Sequence, residues 1–445
     1  MDPKNEKYQQ KIVYARPSLW APFYAVGMIA RIQGHVPTGL LENALRKLQI
    51  LHPPLASRVR LEKDGTAWLT TDGVGGFLLE VRSRTSAEDW VKTTLEQEKL
   101  PFNFSRGPLA RFILLQGDQS SDLVAVVPHV ICDAISIIQV MWTAVALLND
   151  PDRLVEQPSP PPAVTWQNMP HSVFDNLLIR GLVRVLNRAW RDSRVVLHQD
   201  EYEELNQRYW ACHQNGSLAF GLSPAKTSDL AARCKQHGIS ITGALIAAFL
   251  LAQSEIRPAT KDRRGISIAV SIRDRLVESP GSAVGVYASS LELSKRPRLD
   301  VSFWELARLS HAWIHKELNN RARILMPMVL EEVDPLIADR LVVAVSTGQW
   351  SREVAVMNYF IKFRGGLRAL DVSNIGRIDL DKSGTPWLLE DLFTFPPLVP
   401  GGGLALNVLT VNGHMNILLK FRQNELGDAD AARIRDRALI YLSGE

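Results

Sequence analysis

Cysteine is scarce in this chain of 445 residues, which contains only Cys132, Cys212 and Cys234. Three widely spaced thiols cannot build the paired framework of a disulfide-rich protein, and their spacing does not match a zinc site. Charge of one sign is also scarce, because 51 basic residues are nearly balanced by 47 acidic ones, for a net charge of +4. A surplus this small over such a length does not indicate a nucleic-acid-binding protein.

Several common catalytic motifs are missing as well. There is no Gly-x-Ser-x-Gly, which argues against an α/β-hydrolase, and no Gly-x-Gly-x-x-Gly that opens a helix, so no dinucleotide is expected. The segment 400–403 lacks the Lys-Ser/Thr of a phosphate loop, and we interpret it as a turn. His311 and His315 have the spacing of a metal-binding pair, but no Glu follows His311 and no third ligand is near. We therefore expect neither a metal nor a redox cofactor.

The most informative apolar run spans residues 123–148, LVAVVPHVICDAISIIQVMWTAVALL. Its length would suit a transmembrane helix, but Asp133 near its middle would cost about 2.5 to 3.5 kcal/mol on insertion scales, and its flanks lack basic anchors. We therefore expect no membrane span. The N-terminal segment also lacks the apolar stretch of a signal peptide, so a cytoplasmic location is expected.

The same run predicts a buried strand over 123–127, a turn at Pro128 and a helix from residue 133 or 134 to 148. His129 then lies where a strand ends, a position from which a side chain can face a cleft. A His can act as a general base near neutral pH, whereas an Asp would need strong desolvation to do so. His129 is therefore the natural proton acceptor, and Asp133 is expected to fix structure or the orientation of the imidazole.

The spacing alone is weak evidence, because His171 and Asp175 repeat it in a segment that we expect to be a loop. An alternative for His129 is an ordinary buried histidine whose hydrogen bonds are satisfied within the core.

The length predicts two or three domains, or two lobes of one enzyme. We expect an N-terminal lobe over 1–175 and a C-terminal lobe over 216–445, where the alternation of strands and helices starts again. A linker with six prolines, 151–170, ends the first part. Between the lobes, 176–215 is expected to form a basic helical crossover.

Its helix, expected over 176–197, carries four arginines on one stripe: Arg180, Arg184, Arg188 and Arg191. This stripe is either a solvated face or a surface for anionic lipid, a CoA phosphate or an acidic carrier protein.

The other patterns predict strands and helices in mixed sheets, that is, an α/β fold. The first lobe is expected to contain a helix over 38–51 with Thr38 as its cap, a hairpin at 63–65 and a helix over 87–99. The second is expected to contain helices over 223–238, 240–256 and 301–320, a strand over 265–276, and two final strands joined at Asn412-Gly413.

Taken together, five segments in order resemble the condensation-domain superfamily of acyltransferases, which includes chloramphenicol acetyltransferase, peptide-synthetase condensation domains, alcohol acetyltransferases and polyketide-associated acyltransferases. The resemblance covers nearly the whole chain. The segments are GHVPTGLLENALRKLQILHPPLASRVR, LPFNFSRGPLARFILL, PHVICDAIS, ISIAVSIRDRL with AVGVYASSLEL, and VSNIGRIDL. The third is similar to the family's His-His-x-x-x-Asp-Gly motif.

The resemblance implies two chloramphenicol-acetyltransferase-like lobes in a V, as a pseudo-dimer with a tunnel between them. His129 would be the base that takes a proton from the acceptor as it attacks an acyl thioester. Asp133 would be structural and paired with an arginine of the second lobe, with Arg273 as first choice and Arg275 as second. Ala134 and a segment of the second lobe would shape the tunnel or approach the oxyanion: Ser373, Asn374 and Gly376.

Two positions depart from the family motif: its first His is Pro128 and its Gly is Ala134. Loss of the first His is tolerated in ester-forming branches, so the resemblance favours O-acylation, with an alcohol acceptor that is a small molecule, lipid or polyketide. The donor would be acyl-CoA or an acyl carrier protein, and the enzyme a monomer without a further cofactor. Two alternatives stay open: amide formation on an amino acceptor, and a degenerate member that binds a ligand without turnover.

Overall fold

The computed structural model describes residues 8–153, 161–169, 177–190, 195–257, 265–293, 298–320, 332–361, 368–380 and 385–444. Within these ranges the chain forms three sheets with helices packed against them, and the predicted mixed α/β fold is confirmed. The strands are β1 Gln9–Lys11, β2 Ala25–Gln33, β3 Arg58–Leu61, β4 Ala67–Thr70, β5 Leu79–Ser83, β6 Arg111–Gln116, β7 Ser120–Pro128, β8 Asn215–Leu222, β9 Gly265–Ser271, β10 Ala288–Leu293, β11 Arg368–Ile378, β12 Leu389–Phe395, β13 Gly402–Val411 and β14 His414–Arg422. The helices are α1 Thr38–Leu51, α2 Asp89–Gln97, α3 Ala134–Asn149, α4 Leu177–Trp190, α5 Gln199–Cys212, α6 Pro224–Gln236, α7 Ile241–Ile256, α8 Phe303–Asn319, α9 Pro335–Thr347, α10 Arg352–Ile361 and α11 Asp428–Ser443.

The first large sheet has five strands in the order β12-β2-β7-β6-β5. All neighbours are antiparallel except β5 and β6. Strand β7 is buried along almost its whole length because it lies in the middle of the sheet, with α3 packed against the neighbouring β2. Helix α1 buries a stripe of leucines, Leu41, Leu45 and Leu48, and its Ala44 and Leu51 cluster with Leu147 of α3.

The second large sheet has six strands in the order β10-β9-β11-β13-β14-β8, with a parallel centre formed by β9, β11 and β13. Helix α7 covers this centre and is buried from Gly243 to Gln253. A Cβ on Gly243 would lie 2.9 Å from the carbonyl oxygen of Ala307, so glycine at this position permits the close approach of α8. A third, small sheet joins β1, β4 and β3.

Strand β12 links the two halves of the chain. It lies within the part for which the sequence predicts a C-terminal lobe, yet it pairs with β2 at the edge of the first sheet. Its pairing with a strand more than 350 residues earlier leaves no local signal in the sequence. The domain boundaries at 175 and 215 stay a prediction.

The local predictions agree with the structure in most places. Helix α1 has the predicted bounds, and the hairpin at 63–65 and the Asn412-Gly413 turn are both present, the latter with φ of 49° and 85°. Two details were wrong. Pro37, not Thr38, is the N-cap of α1, and the strand predicted over 265–276 ends at Ser271 and turns into a 3₁₀ helix over Arg273–Arg275.

The run at 123–148 is a strand followed by a helix, as predicted. Among the described residues, no single helix has the length and hydropathy of a membrane span. The pair α6 and α7 satisfies these criteria only when its two helices, bent by 101°, are taken together.

Candidate active site

His129 stands where β7 ends and before α3 begins. Pro128 is the last residue of the strand, and proline cannot donate to a further rung of the sheet. The backbone N–H of His129 then donates to the carbonyl oxygen of Tyr24 at 2.8 Å, which ties the loop to the start of β2. The imidazole lies edge-on to the ring of Tyr24, with 5.8 Å between the ring centroids.

The imidazole of His129 is held in one tautomer. Its Nδ1 lies 2.8 Å from the carbonyl oxygen of Cys132, and because a carbonyl only accepts, Nδ1 carries the hydrogen and Nε2 has the free lone pair. Burial lowers the pKa of His129 below its usual value, opposed in part by this hydrogen bond and by the charge of Asp133. The ring is therefore neutral at physiological pH, the state that a general base requires. Burial also raises the pKa of Cys132, so its thiol stays protonated and is unsuited to act as a nucleophile.

Asp133 has a structural environment. It is 2% exposed and caps α3, since its Oδ1 accepts from the backbone N–H of Ser136 at 2.7 Å. Its Oδ2 accepts from the backbone N–H of Tyr287 at 2.9 Å, and Arg273 Nη2 lies 3.1 Å from Oδ1. The ion pair expected with Arg273, the first choice, is present. A carboxylate with these three donors is fixed in place and positions the loop that carries His129.

Ser136 completes this network and was missed in the sequence analysis. Its hydroxyl accepts from Arg273 Nη2 at 2.6 Å and donates to the carbonyl oxygen of Gly285 at 2.8 Å. The same Gly285 carbonyl accepts from the backbone N–H of Asp133 at 3.1 Å. The segment 284–287 is thereby attached to the loop after β7. The spacing Asp-x-x-Ser at a helix start could have indicated a cap, but nothing local indicates the partner 149 residues away.

A cavity of about 330 Å³ borders the imidazole and lies between the two large sheets. One side is formed by β2 and β12, and the other by β9, β10, β11 and β13, with His129, Asp133 and Ala134 at its edge. A second cavity, of about 340 Å³, borders the same loop at Val130 and Ile131. The two cavities share three lining residues: Tyr14, Ala15 and Val286. Open space therefore borders both His129 and the two residues that follow it.

Some of the remaining candidate residues line this cavity and others lie away from it. Ala134 and Ser373 line the cavity beside His129. Asn374 and Gly376 are not among its lining residues. They form a bulge in β11, where Asn374 bonds Thr242 Oγ1 at 3.1 Å and Gly376 has φ of +102°. Arg275 is also away from the cavity, because the 3₁₀ turn directs its Nη2 to the carbonyl oxygen of Leu318 in α8.

The other motifs singled out in the sequence do not join this site. His311 accepts a hydrogen bond from the backbone N–H of Ser240, and the part of the chain that the structure describes contains no cluster of His, Cys, Asp or Glu suited to a metal. In α4, Arg184 and Arg188 are exposed, whereas the side chain of Arg180 and all of Arg191 lie outside the described residues. His171 and Asp175 also lie outside them.

Comparison with known proteins identifies the fold. No family model and no curated protein matches the sequence. Among solved structures, TRI3 trichothecene 15-O-acetyltransferase from Fusarium sporotrichioides has a TM-score of 0.66 at 12% identity, with 100% of this chain and 96% of that chain covered. The first condensation domain of the CDA synthetase has a TM-score of 0.63 at 15% identity, covering 98% and 95%. Polyketide synthase associated protein 5 from Mycobacterium tuberculosis has a TM-score of 0.60 at 15% identity, covering 97% of each chain.

The chain therefore has the fold of the condensation-domain and chloramphenicol-acetyltransferase-like acyltransferases, over its full length, as the resemblance implied.

Proposed function

We propose that this protein transfers an acyl group from an acyl thioester to an acceptor hydroxyl, with His129 as the general base. The observation that carries the proposal is the imidazole itself. It is neutral, it presents Nε2 as its basic nitrogen because Nδ1 is bound to Cys132, and it borders a cavity between the two sheets. The structural neighbours, an O-acetyltransferase among them, support the same chemistry.

In this reaction, His129 Nε2 takes the proton of the acceptor hydroxyl while the oxygen forms a bond to the thioester carbonyl carbon. The resulting tetrahedral intermediate collapses by breaking the carbon–sulfur bond, and the imidazolium returns the proton to the thiolate. Ser373, which lines the cavity, is the candidate donor toward the oxyanion. One of the two cavities that border the loop would admit the donor, acyl-CoA or a carrier-bound thioester, and the other the acceptor.

The test compares the wild type with His129→Ala, using several acyl-CoA donors and a panel of alcohols and amines. We expect free thiol to appear with wild type only when an alcohol is present, and the variant to lose this activity by about 100-fold or more, the usual contribution of a general base. The matched control is the exposed His35→Ala, which should retain activity.

Other results would contradict the proposal. Thiol release that requires an amine rather than an alcohol would indicate amide formation. If no donor, carrier-bound thioesters included, gives acceptor-dependent thiol release, the protein is a ligand-binding member of the fold.

A further inference from the structure

One wall of the cavity beside His129 is the inner face of the second sheet. The strand register places Glu292 and Asp371 on either side of Ser267, and Asp371 beside Ala405. Residues paired across neighbouring strands lie on the same face, and all four line the cavity. Because Ser267 and Ala405 are short, both carboxylates border open space rather than a large side chain.

Arg368 lies between these two carboxylates. Its Nη1 is 3.0 Å from Glu292 Oε1, and its Nε is 3.0 Å from Asp371 Oδ1. The guanidinium is 11% exposed and the two carboxylates 21%. The three groups together carry a formal charge of −1. Among the described lining residues, the one other formal charge is that of Asp133, which is balanced by its ion pair. The cavity therefore favours a cation over an anion.

Tyr24 connects these groups with the proposed base. Its ring contacts that of His129. Burial raises the pKa of Tyr24 to about 12; the charge of Arg368 lowers this pKa, and the charges of Asp371 and Glu292 raise it. The imidazole and the charged cluster thus face the same cavity with one tyrosine side chain between them. A single molecule can place a hydroxyl at His129 and a second polar group at the cluster.

We propose that the acceptor substrate carries a cationic amine in addition to its reacting hydroxyl, and that Glu292 and Asp371 bind this amine. Arg368 forms an ion pair with each carboxylate and holds the two in position. An ammonium donates up to three hydrogen bonds, and carboxylates are its strongest acceptors. This inference rests on the proposed function for the identity of the substrate, but the amine site itself can be measured without turnover.

The test uses the full chain and matched probes, n-octanol and its ω-amino derivative. Binding is measured by calorimetry without an acyl donor, and acetyl-CoA is then added to follow thiol release. We expect the amino alcohol to bind about ten-fold or more tightly than n-octanol, the size of one charge-assisted hydrogen bond. In Glu292→Gln and Asp371→Asn this preference should fall by about ten-fold while the affinity for n-octanol stays unchanged.

The control is Asp379→Asn, which removes a carboxylate from an exposed ion pair with Arg377 and should leave the preference intact. Thermal unfolding shows whether each variant is folded. The comparison of the two probes on the wild type tests the amine site even if a variant does not fold. Equal or tighter binding of n-octanol by wild type would overturn the amine site. Tight, Glu292-dependent binding of the amino alcohol without any thiol release would support the amine site while overturning the proposed acyl transfer.

Discussion

Replacing Asp133 with alanine should destabilise the protein strongly. The carboxylate is 2% exposed and is shared by three donors: the backbone N–H of Ser136, the backbone N–H of Tyr287 and Arg273 Nη2. The substitution removes the cap of α3, which is worth about 1 kcal/mol, and leaves a buried guanidinium without its countercharge, which costs about 3 to 5 kcal/mol. Because both effects involve the same atoms they do not add fully, and we expect a loss of about 4 to 5 kcal/mol.

The measurement is a double-mutant cycle followed by urea unfolding, with Asp133→Ala, Arg273→Met and the two combined. The double variant has no unpaired buried charge. Its loss in the free energy of unfolding should therefore be smaller than the sum of the two single losses, by about 2 to 3 kcal/mol. The control is the same cycle on Arg377 and Asp379, whose side chains are 64% and 63% exposed. Exposed pairs contribute little, and a coupling below about 1 kcal/mol is expected there.

The reasoning would be refuted by a buried pair whose coupling is no larger than that of the exposed pair. It would also be refuted if Asp133→Ala lost less than about 1 kcal/mol, because the cap alone accounts for that much.

Three further predictions follow from the same site. Ser136→Ala removes the hydroxyl that bonds Arg273 and should lower the free energy of unfolding by about 1 to 3 kcal/mol, measured by thermal unfolding. An unchanged stability would contradict this, because it would mean that solvent replaces the hydroxyl. Gly27→Ala puts a methyl 2.7 Å from the Phe395 ring, so a loss of about 1 to 3 kcal/mol and a poorer KM for bulky acceptors are expected. Acidification protonates the base and should therefore lower kcat/KM. Because burial lowers the pKa of His129, the midpoint of this decrease should lie below pH 6.5. A midpoint above pH 6.5 would contradict a buried neutral imidazole.

The parts of the fold that depend on local pattern could be predicted from the sequence. The apolar run at 123–148 showed the strand, the turn and the helix around His129, since a continuous apolar stretch ends at Pro128 and helical spacing of apolar residues begins after Asp133. The parts that depend on pairing between distant segments could not. Strand β12 carries no signal that sends it to β2, and the juxtaposition of Glu292 with Asp371 requires the register of three strands.

The choice between Arg273 and Arg275 shows how one local difference decides a distant contact. In the strand expected over 265–276, residues two apart would lie on the same face, so Arg275 stood as a second choice beside Arg273. In the 3₁₀ helix that the structure contains, with about three residues per turn, side chains two apart point in different directions. Arg273 therefore turns to Asp133, while Arg275 turns to α8.

The two departures from the family motif have different physical consequences. Pro128 is the last residue of β7, where its fixed φ and missing N–H suit the end of a ladder, so it starts the loop without removing a needed hydrogen bond. Ala134 is the first residue of α3, and in the described part of the chain Asn412 is the one residue other than glycine with positive φ. The backbone at 134 thus does not require glycine, and the effect of the alanine is confined to one methyl group on the cavity wall. Such a methyl occupies space near His129 but does not change the hydrogen bond to Cys132 or the burial that set the tautomer and the pKa of the imidazole, so the substitution is compatible with the proposed base.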